Sequence, residues 1–512
     1  MASSSNKRIA RNAGFLYVRT LLVMIISLFT SRIALEALGV DDYGIYNVVG
    51  GVVAMLSFLN SAMAQATQRF LSFAQGKDDL GYQIKVFSTA IVVQMTIAVI
   101  VLVLLETIGL WYLNNKVVLP PDRVFAARIV YQLSILTFLI RILAVPYVAS
   151  VVANEHLHFH AVLSIVDALL LLVSLLVLRT LSFDKLIAYS IITTGIAAFY
   201  LLVYFIYSKI KFKKCVFKKI KDWSLYKEMF QFAGWAFFGS FGFVARMQGV
   251  NLVINLFCGP AVNAARAVAY QVSSAIQTFV TSFLQAINPQ ITKRYAKGEV
   301  DSMMLLVRTG SKYTFLSLLI CCTPVIVKSE YILNLWLGNA PEYASEFLLL
   351  ALAMSLITSM GGTMNTAMQA TGDIKLFQIV VTVIMCLDIP LSYLLLQKGV
   401  VPYLVTTVSI VTAFLCLIAK MLLLKRLIPY DIGSFVKEVV AKNFILAGVM
   451  VPLFFAIGHY IPSNIWGLVV VCLLSVVLYS IIIYLFCMEK WEKSFVKSYL
   501  NKVVSKYTGK YE

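Results

Sequence analysis

Stretches of about 20 consecutive apolar residues recur along the whole chain, and no other feature limits the fold so severely. As an α-helix rising 1.5 Å per residue, such a run crosses the ~30 Å hydrocarbon core of a bilayer. Fourteen spans are predicted, near 12–35, 44–66, 84–112, 125–152, 159–178, 184–207, 229–257, 262–290, 304–327, 345–370, 374–396, 400–424, 443–460 and 464–487. The run 443–460 is short and the joins at 153–158 and 371–373 are tight, so counts of twelve or thirteen stay open. A β-barrel would instead show short alternating segments. Only 13% of the 512 residues are charged and 60% are hydrophobic. A soluble domain carries roughly twice that charged share. The expectation is an all-α integral membrane protein from end to end, with a mean hydropathy of +0.87.

Charge gives the bundle a direction. With a cytoplasmic N-terminus, one side collects Lys7, Arg8, Arg11, Arg69, Lys77, Lys85, Lys293, Arg294, Lys297 and Lys375. It also collects Lys209, Lys211, Lys213, Lys214, Lys218, Lys219 and Lys221, then Lys425, Arg426, Lys437, Lys442 and the six lysines after Met488. The other side offers little beyond Lys116, Arg123, Arg179, Lys185, Lys328 and Lys398, and carries acids such as Asp41, Asp42 and Glu342. This positive-inside asymmetry predicts two cytoplasmic termini. It accounts for the formal charge of +19 through topology and anionic membrane lipids, with no nucleic acid partner.

Several other chemistries find no footing. The basic N-terminus precedes a run that contains Arg19 and lacks a small-residue cleavage site, so it does not read as a cleaved signal. Seven of eight cysteines sit in apolar segments, the eighth is Cys215 of the basic loop, and none forms a Cys-x-x-Cys pair. They read as small hydrophobes. His156, His158 and His160 put two imidazoles on one helix face, but only Glu155 accompanies them, and a metal site is not expected. No Walker A loop, nucleophile elbow or zinc-protease helix occurs. No catalytic residue and no cofactor are assigned.

The basic loop divides two sets of six spans. Arg69-Phe70 through Gly76-Lys77-Asp78 after the second span is echoed by Lys293-Arg294-Tyr295 through Gly298-Glu299 after the eighth. Ala153-Asn154-Glu155-His156 joins spans four and five, as Ala370-Thr371-Gly372-Asp373 joins ten and eleven. Six is even, so the halves are parallel repeats about an axis along the membrane normal, with a site between them. The expected division is 1–208, a linker at 209–227, 228–424, and an extra helix pair with basic tail at 425–512.

Polar and charged positions suggest what lines that site. Span eight carries Gln271, Ser274, Thr278, Ser282 (or Thr281), Gln285 and Asn288 at helical spacing. Span two adds Asn60, Ser61, Gln65 and Gln68, and span one Tyr17, Thr20, Ser27 and Ser31. Such stripes face protein or water, as a lumen or as interhelical hydrogen bonds. A charge at mid-membrane costs about 2.5–3.5 kcal/mol on insertion scales, so each one needs a reason. Arg246 lies near the middle of span seven, and is read as a cavity residue in preference to a structural counter-charge. It points away from Gln248 and Asn255 unless Gly239, Gly242 or Gly249 kinks the helix. Arg19 is similar but lies nearer one membrane face. Arg141 either joins the cavity or pairs with Asp167. Arg32 and Glu36 suit a structural pair. Asp388, beside Pro390, and Asp167 are candidates for ion coupling or local counter-charge.

The junction Leu38-Gly39-Val40-Asp41-Asp42-Tyr43-Gly44-Ile45-Tyr46-Asn47, between an Asn12-containing first span and a polar second span, resembles the Wzx-type polysaccharide flippases. These belong to the multidrug/oligosaccharidyl-lipid/polysaccharide (MOP) exporter superfamily, and the similarity extends over the span layout. The resemblance implies a MATE-like pair of six-helix lobes around a cationic cavity in a bacterial inner membrane. It also implies export of undecaprenyl-pyrophosphate-linked oligosaccharide to the periplasmic leaflet by alternating access, without enzymatic chemistry. A polysaccharide polymerase and a chain-length regulator are the implied protein partners. Substrate contacts would come from Arg19, Arg246, Arg141, Gln65, Gln68, Gln271 and Gln285. The rival readings are a MATE-type multidrug/cation antiporter, a lipid II flippase and a polysaccharide polymerase or ligase. The predicted topology has a direct check. Alkaline phosphatase fused after Glu512 is expected to be inactive, and the same reporter inserted at 338–343 active; the reverse pattern inverts the orientation.

Overall fold

The computed structural model describes residues 2–39, 42, 44–46, 49–50, 53, 57–115, 120–178, 180, 183–489 and 492–494. Val40, Asp41, Tyr43, Asn47, Lys116, Arg179, Lys490 and the tail from 495 lie outside the described residues. So do the side chains of Lys7, Arg8, Arg11, Ser31, Arg32, Asn60 and Ser61.

The described chain is a bundle of α-helices. Eleven are long and apolar enough to cross a membrane: α3 Leu80–Asn115, α4 Pro121–Ala153, α5 Leu157–Leu178, α6 Lys185–Lys211, α7 Trp223–Gly259, α9 Val300–Val327, α10 Ala344–Thr371, α11 Lys375–Gln397, α12 Pro402–Leu427, α13 Ile432–Tyr460 and α14 Ile465–Cys487. The expected first and eighth spans fall on α1 (Ala2–Leu38) and α8 (260–296), which are helical but are not among the eleven; the expected span 44–66 overlaps α2 (Ser57–Gly76) only over 57–66, and positions 47, 48, 51, 52 and 54–56 of it lie outside the described residues. Asp79, Asp184, Asp222, Asp431 and Asn464 each accept backbone N–H groups at a helix start. Those caps satisfy the otherwise orphaned donors of the first turn and allow short joins.

Helices α1–α6 (the N-half) and α7–α12 (the C-half) repeat one another in backbone detail. Asp78 (φ 54°) follows α2 as Gly298 (φ 76°) follows α8. Glu155 (φ 62°) joins α4 to α5 as Gly372 (φ 86°) joins α10 to α11. Packing distinguishes the two ends of the bundle. At the end that carries the lysine-rich loop, one continuous core runs from Phe70, Phe87 and Tyr204 of the N-half into Leu225, Ile287 and Met303 of the C-half. At the opposite end the N-half keeps separate clusters around Tyr131 and around Leu175. Among the described residues, the halves therefore share a packed interior at the basic end and not at the opposite one.

The loop itself lies on the N-half. Phe212 and Cys215 are buried. Cys215 Sγ sits 3.0 Å from Ser150 Oγ, and Ser88 Oγ donates to the Val216 carbonyl while accepting from Lys218 N. Burial and the nearby Lys293 push the Lys214 amine down to about 8.

Span seven departs from the expected kink. No residue between Trp223 and Cys258 leaves the helical conformation; the break comes at Gly259, with φ 78°. Gly239, Gly242 and Gly249 serve close approach instead. A β-carbon on each would stand within 2.5 Å of Gln378, Thr382 and Ile389 of α11, respectively. Positions 239, 242, 246 and 249 share one face, so the same stripe carries Arg246 into the α7–α11 contact. Its guanidinium lies 3.4 Å from Asp388, with the two side chains 6% and 0% exposed. Asp388 also accepts from Ser409 Oγ at 2.7 Å and from Thr412 Oγ1 of α12. Gln248 and Asn255, on the opposite face, are exposed. The disagreement along this helix is thus resolved without bending it: Arg246 is a buried counter-charge, not a group facing a space between the halves.

The appended pair α13–α14 clamps onto α9. Lys312 Nζ lies 2.7 Å from Glu492, and Arg308 lies 2.5 Å from Glu438 and 3.1 Å from Glu489. At the other end Lys328 donates to the carbonyls of Gly458 and Ile461 and to Ser463 Oγ.

Removing one partner of a buried pair strands the other charge, at about 3–5 kcal/mol. Asp388→Ala is expected to lower the melting temperature of the purified protein sharply. Adding Arg246→Met should recover most of the loss. A single variant as stable as the parent would show that the pair carries no such burden.

Candidate functional site

A second group of membrane-embedded charges lies in the N-half. On α5, His160 and Asp167 are seven residues apart and share a face; on α6, Tyr200 and Tyr204 are four apart and do the same. Against these faces α4 sets Arg141, whose guanidinium lies 3.5 Å from Asp167 and 5.3 Å from the Tyr200 ring centroid. Helix α1 adds Arg19, close enough to act electrostatically on His160, Tyr200 and Tyr204.

Hydrogen bonding leaves this cluster incomplete. His160 is buried, with Nδ1 2.6 Å from Tyr204 OH and Nε2 3.2 Å from Gln285 Nε2 of α8. Both ring nitrogens are spent. Arg141 is matched by Asp167, though Asp167 Oδ1 lacks a partner. Arg19 is half-buried, its Nε is buried without a hydrogen-bond partner, and no acid pairs with it among the described residues. Two arginines, Arg19 and Arg141, face one carboxylate, Asp167, in this cluster. A buried, unfulfilled guanidinium is costly in a low-dielectric setting. An oxyanion with several acceptor oxygens supplies both the missing charge and the missing hydrogen bonds.

The polar stripe of α8 divides into two. Its outer part, Gln271, Ser274, Thr278 and Thr281, is exposed; since bare lipid cannot satisfy such groups, this stretch suits a watery cleft. Its inner part is consumed in contacts between the halves. Ser282 Oγ lies 2.6 Å from Thr20 Oγ1, and Gln285 meets His160. Below them Ala286 packs against Leu16, Val152 and Leu157. The cationic cluster therefore sits directly above a seal, at the closed end of the space between the halves.

The residues singled out from sequence separate accordingly. Arg19, Arg141, Asp167 and Gln285 come together. Gln65 lies on the inter-half seam, accepting from Gln369 Nε2 at 3.3 Å, and Gln68 lies one turn beyond it, half-buried. Gln271 belongs to the outer stripe. Arg246 and Asp388 are locked together inside the C-half. Sequence reasoning missed Tyr200 and Tyr204, whose spacing beside Tyr207 was the available signal, and treated His160 only as a metal ligand. The histidine run does not converge: His156 Nδ1 turns to Tyr207 OH at 2.8 Å, and no group of three metal-binding side chains occurs among the described residues.

Comparison with known proteins bears on the scaffold. Residues 236–394 match the MatE family model. No curated protein matches the chain by sequence. Among solved structures, the outward-facing conformation of a multidrug resistance MATE family transporter of the MOP superfamily superposes with a TM-score of 0.70 at 13% identity, covering 82% of this chain and 95% of that one. The MATE transporter ClbM in complex with Rb+ gives 0.67 at 16% identity, covering 84% and 96%. A MOP superfamily transporter from Pyrococcus furiosus gives 0.66 at 12%, covering 84% and 96%; reverse polarity of its binding pocket is said to suggest a different function. The part of this chain outside these matches is comparable in length to α13, α14 and the tail. The chain has the fold of the MATE transporters of the MOP superfamily, and the middle of its sequence matches the MatE family model.

Proposed function

We propose that this protein is an alternating-access transporter of anionic lipid-linked substrates: a flippase that moves undecaprenyl-pyrophosphate-linked oligosaccharide from the cytoplasmic to the periplasmic leaflet of a bacterial inner membrane. The observation that carries this reading is Arg19, a membrane-embedded guanidinium with no acid partner among the described residues, beside the Arg141–Asp167 pair and above a closed inter-half seal. The pyrophosphate would take the place Arg19 leaves open, Tyr200, Tyr204 and the outer stripe of α8 would meet the sugars, and the polyprenyl chain would stay in lipid. The division at 209–227, with both termini and the lysine-rich end cytoplasmic, is part of the same proposal. Moving negative charge toward a positive outside is favoured by about 2.3 kcal/mol per charge per 100 mV, so the membrane potential can drive export without nucleotide.

A second reading, a multidrug/cation antiporter, is favoured by the MatE match and by the partnerless Oδ1 of Asp167. The two arginines that face one carboxylate count against it. A lipid II flippase would use the same cationic site.

Arg19→Gln, inserted at the parent level, is expected to cut export of repeat units at least about tenfold, the cost of one charge-assisted contact of roughly 1.5–3 kcal/mol. Lipid-linked oligosaccharide should then accumulate on the cytoplasmic leaflet. Export at the parental rate would end the cationic-site reading. Unchanged oligosaccharide export in the deletion strain, together with new drug sensitivity, would point to the antiporter.

A further inference from the structure

Two charged ties cross between the halves at the basic end. Two turns before the end of α2, Arg69 is buried; its Nε donates to the Gln369 carbonyl and its Nη2 to the Ala370 carbonyl, both at 3.0 Å. Its Nη1 lies 3.7 Å from Glu228 at the start of α7. The two carbonyls belong to the last turn of α10, the negative end of that helix. At the end of α8, Lys293 Nζ lies 2.7 Å from Glu155 Oε1, in the join between α4 and α5.

Helix α8 holds the place in the C-half that α2 holds in the N-half. The α10–α11 join likewise answers to the α4–α5 join, each marked by a left-handed residue, Gly372 or Glu155. Each half thus sends a cation from its second helix onto the joint between the fourth and fifth helices of the other. Between the ties, Gly76 and Ala296 meet. They stand two residues before the left-handed Asp78 and Gly298, and a β-carbon on Gly76 would lie 2.5 Å from that of Ala296. Equivalent positions that touch mark the axis relating the halves.

We infer that these two ties are a reciprocal lock that holds the basic end shut and must open for the halves to rock apart there. Both ties have one partner in each half, so neither stabilises a half by itself. The ion pairs of Arg123 with Asp42 and Asp184 at the other end stay inside the N-half and impose no such restraint. Thr20–Ser282 and Gln285–His160 add an uncharged layer above the lock, adjoining the Arg19 cluster. The inference concerns closure alone and holds whatever the substrate.

Ala286, buried in the seal and nearly isosteric with cysteine, provides the reporter. The full-length protein carrying Ala286→Cys is placed in inside-out vesicles and labelled with a membrane-impermeant maleimide; the same variants without Ala286→Cys give the background from the eight native cysteines. Glu155→Lys and Arg69→Gln are each expected to speed labelling by about five- to a hundredfold, the range of a typical conformational coupling. Combining Glu155→Lys with Lys293→Glu restores the pair in reverse and should return labelling to the parental rate. If Glu155→Lys fails to insert, Lys293→Gln removes the same tie without opposing two lysines. Parental labelling in the single variants overturns the lock, as does a swapped pair that labels as fast as Glu155→Lys alone. No substrate is needed, so a negative result here leaves the flippase reading standing, and a failure of export leaves the lock.

Discussion

The price of a charge in a low-dielectric slab governs this structure. Each cation brought into the bundle must find an anion, a set of carbonyls, or a reason to remain unmatched. Arg246 finds Asp388, Lys312 finds Glu492, Lys328 finds the carbonyls at the end of α13, and Arg69 finds those at the end of α10. These solutions also fix which helices must be neighbours, because a stranded partner costs more than a lost contact. Arg246–Asp388 pins α7 to α11, and Lys312–Glu492 pins the appended pair to α9. Arg19 keeps a buried Nε without a hydrogen-bond partner and has no acid paired with it among the described residues.

Most of the fold was legible because hydropathy reports on the bilayer directly. The all-helical architecture and the lengths of the eleven spanning helices follow from runs of apolar residues and the joins between them. What was not legible was direction around each helix axis. Gly239, Gly242 and Gly249 suggested a kink, yet a glycine series at helical spacing equally permits a second helix to approach, and only α11 decides between the two. The same stripe contains Arg246, so the glycines were the signal that this arginine faces a packed neighbour. Polar periodicity on α8 was likewise ambiguous. A watery cleft and a hydrogen-bonded seam both require a polar face, and the helix uses the turns around Gln271 to Thr281 for one and those around Ser282 and Gln285 for the other.

Pairing across the sequence was harder still to foresee. The Glu155–Lys293 tie and the contact of Arg69 with Gln369 and Ala370 join residues separated by well over a hundred positions. The weak internal echo placed all of these residues at corresponding joins, which was enough to suggest two parallel repeats. It did not suggest that the joins of one half receive the cations of the other, since sequence similarity describes likeness between halves and not contact between them.

The two halves have spent the same architecture differently. In the C-half the arginine of the first helix is neutralised by an acid that two hydroxyls also hold, and the α7–α11 contact is tightened by glycines; this half is built to move as a unit. In the N-half Arg19 of the first helix has no acid partner among the described residues, and Asp167 is already committed to Arg141. Its neighbours Tyr200, Tyr204 and His160 are polar groups on rigid rings, with little rotamer freedom to lose when a ligand arrives. Because His160 also reaches Gln285, a ligand that drew the imidazole or Arg19 toward itself would act on the seal between the halves. Charge recognition and closure would then be coupled through one hydrogen bond across the seam, and that coupling rests on the asymmetry of the halves and not on either half alone.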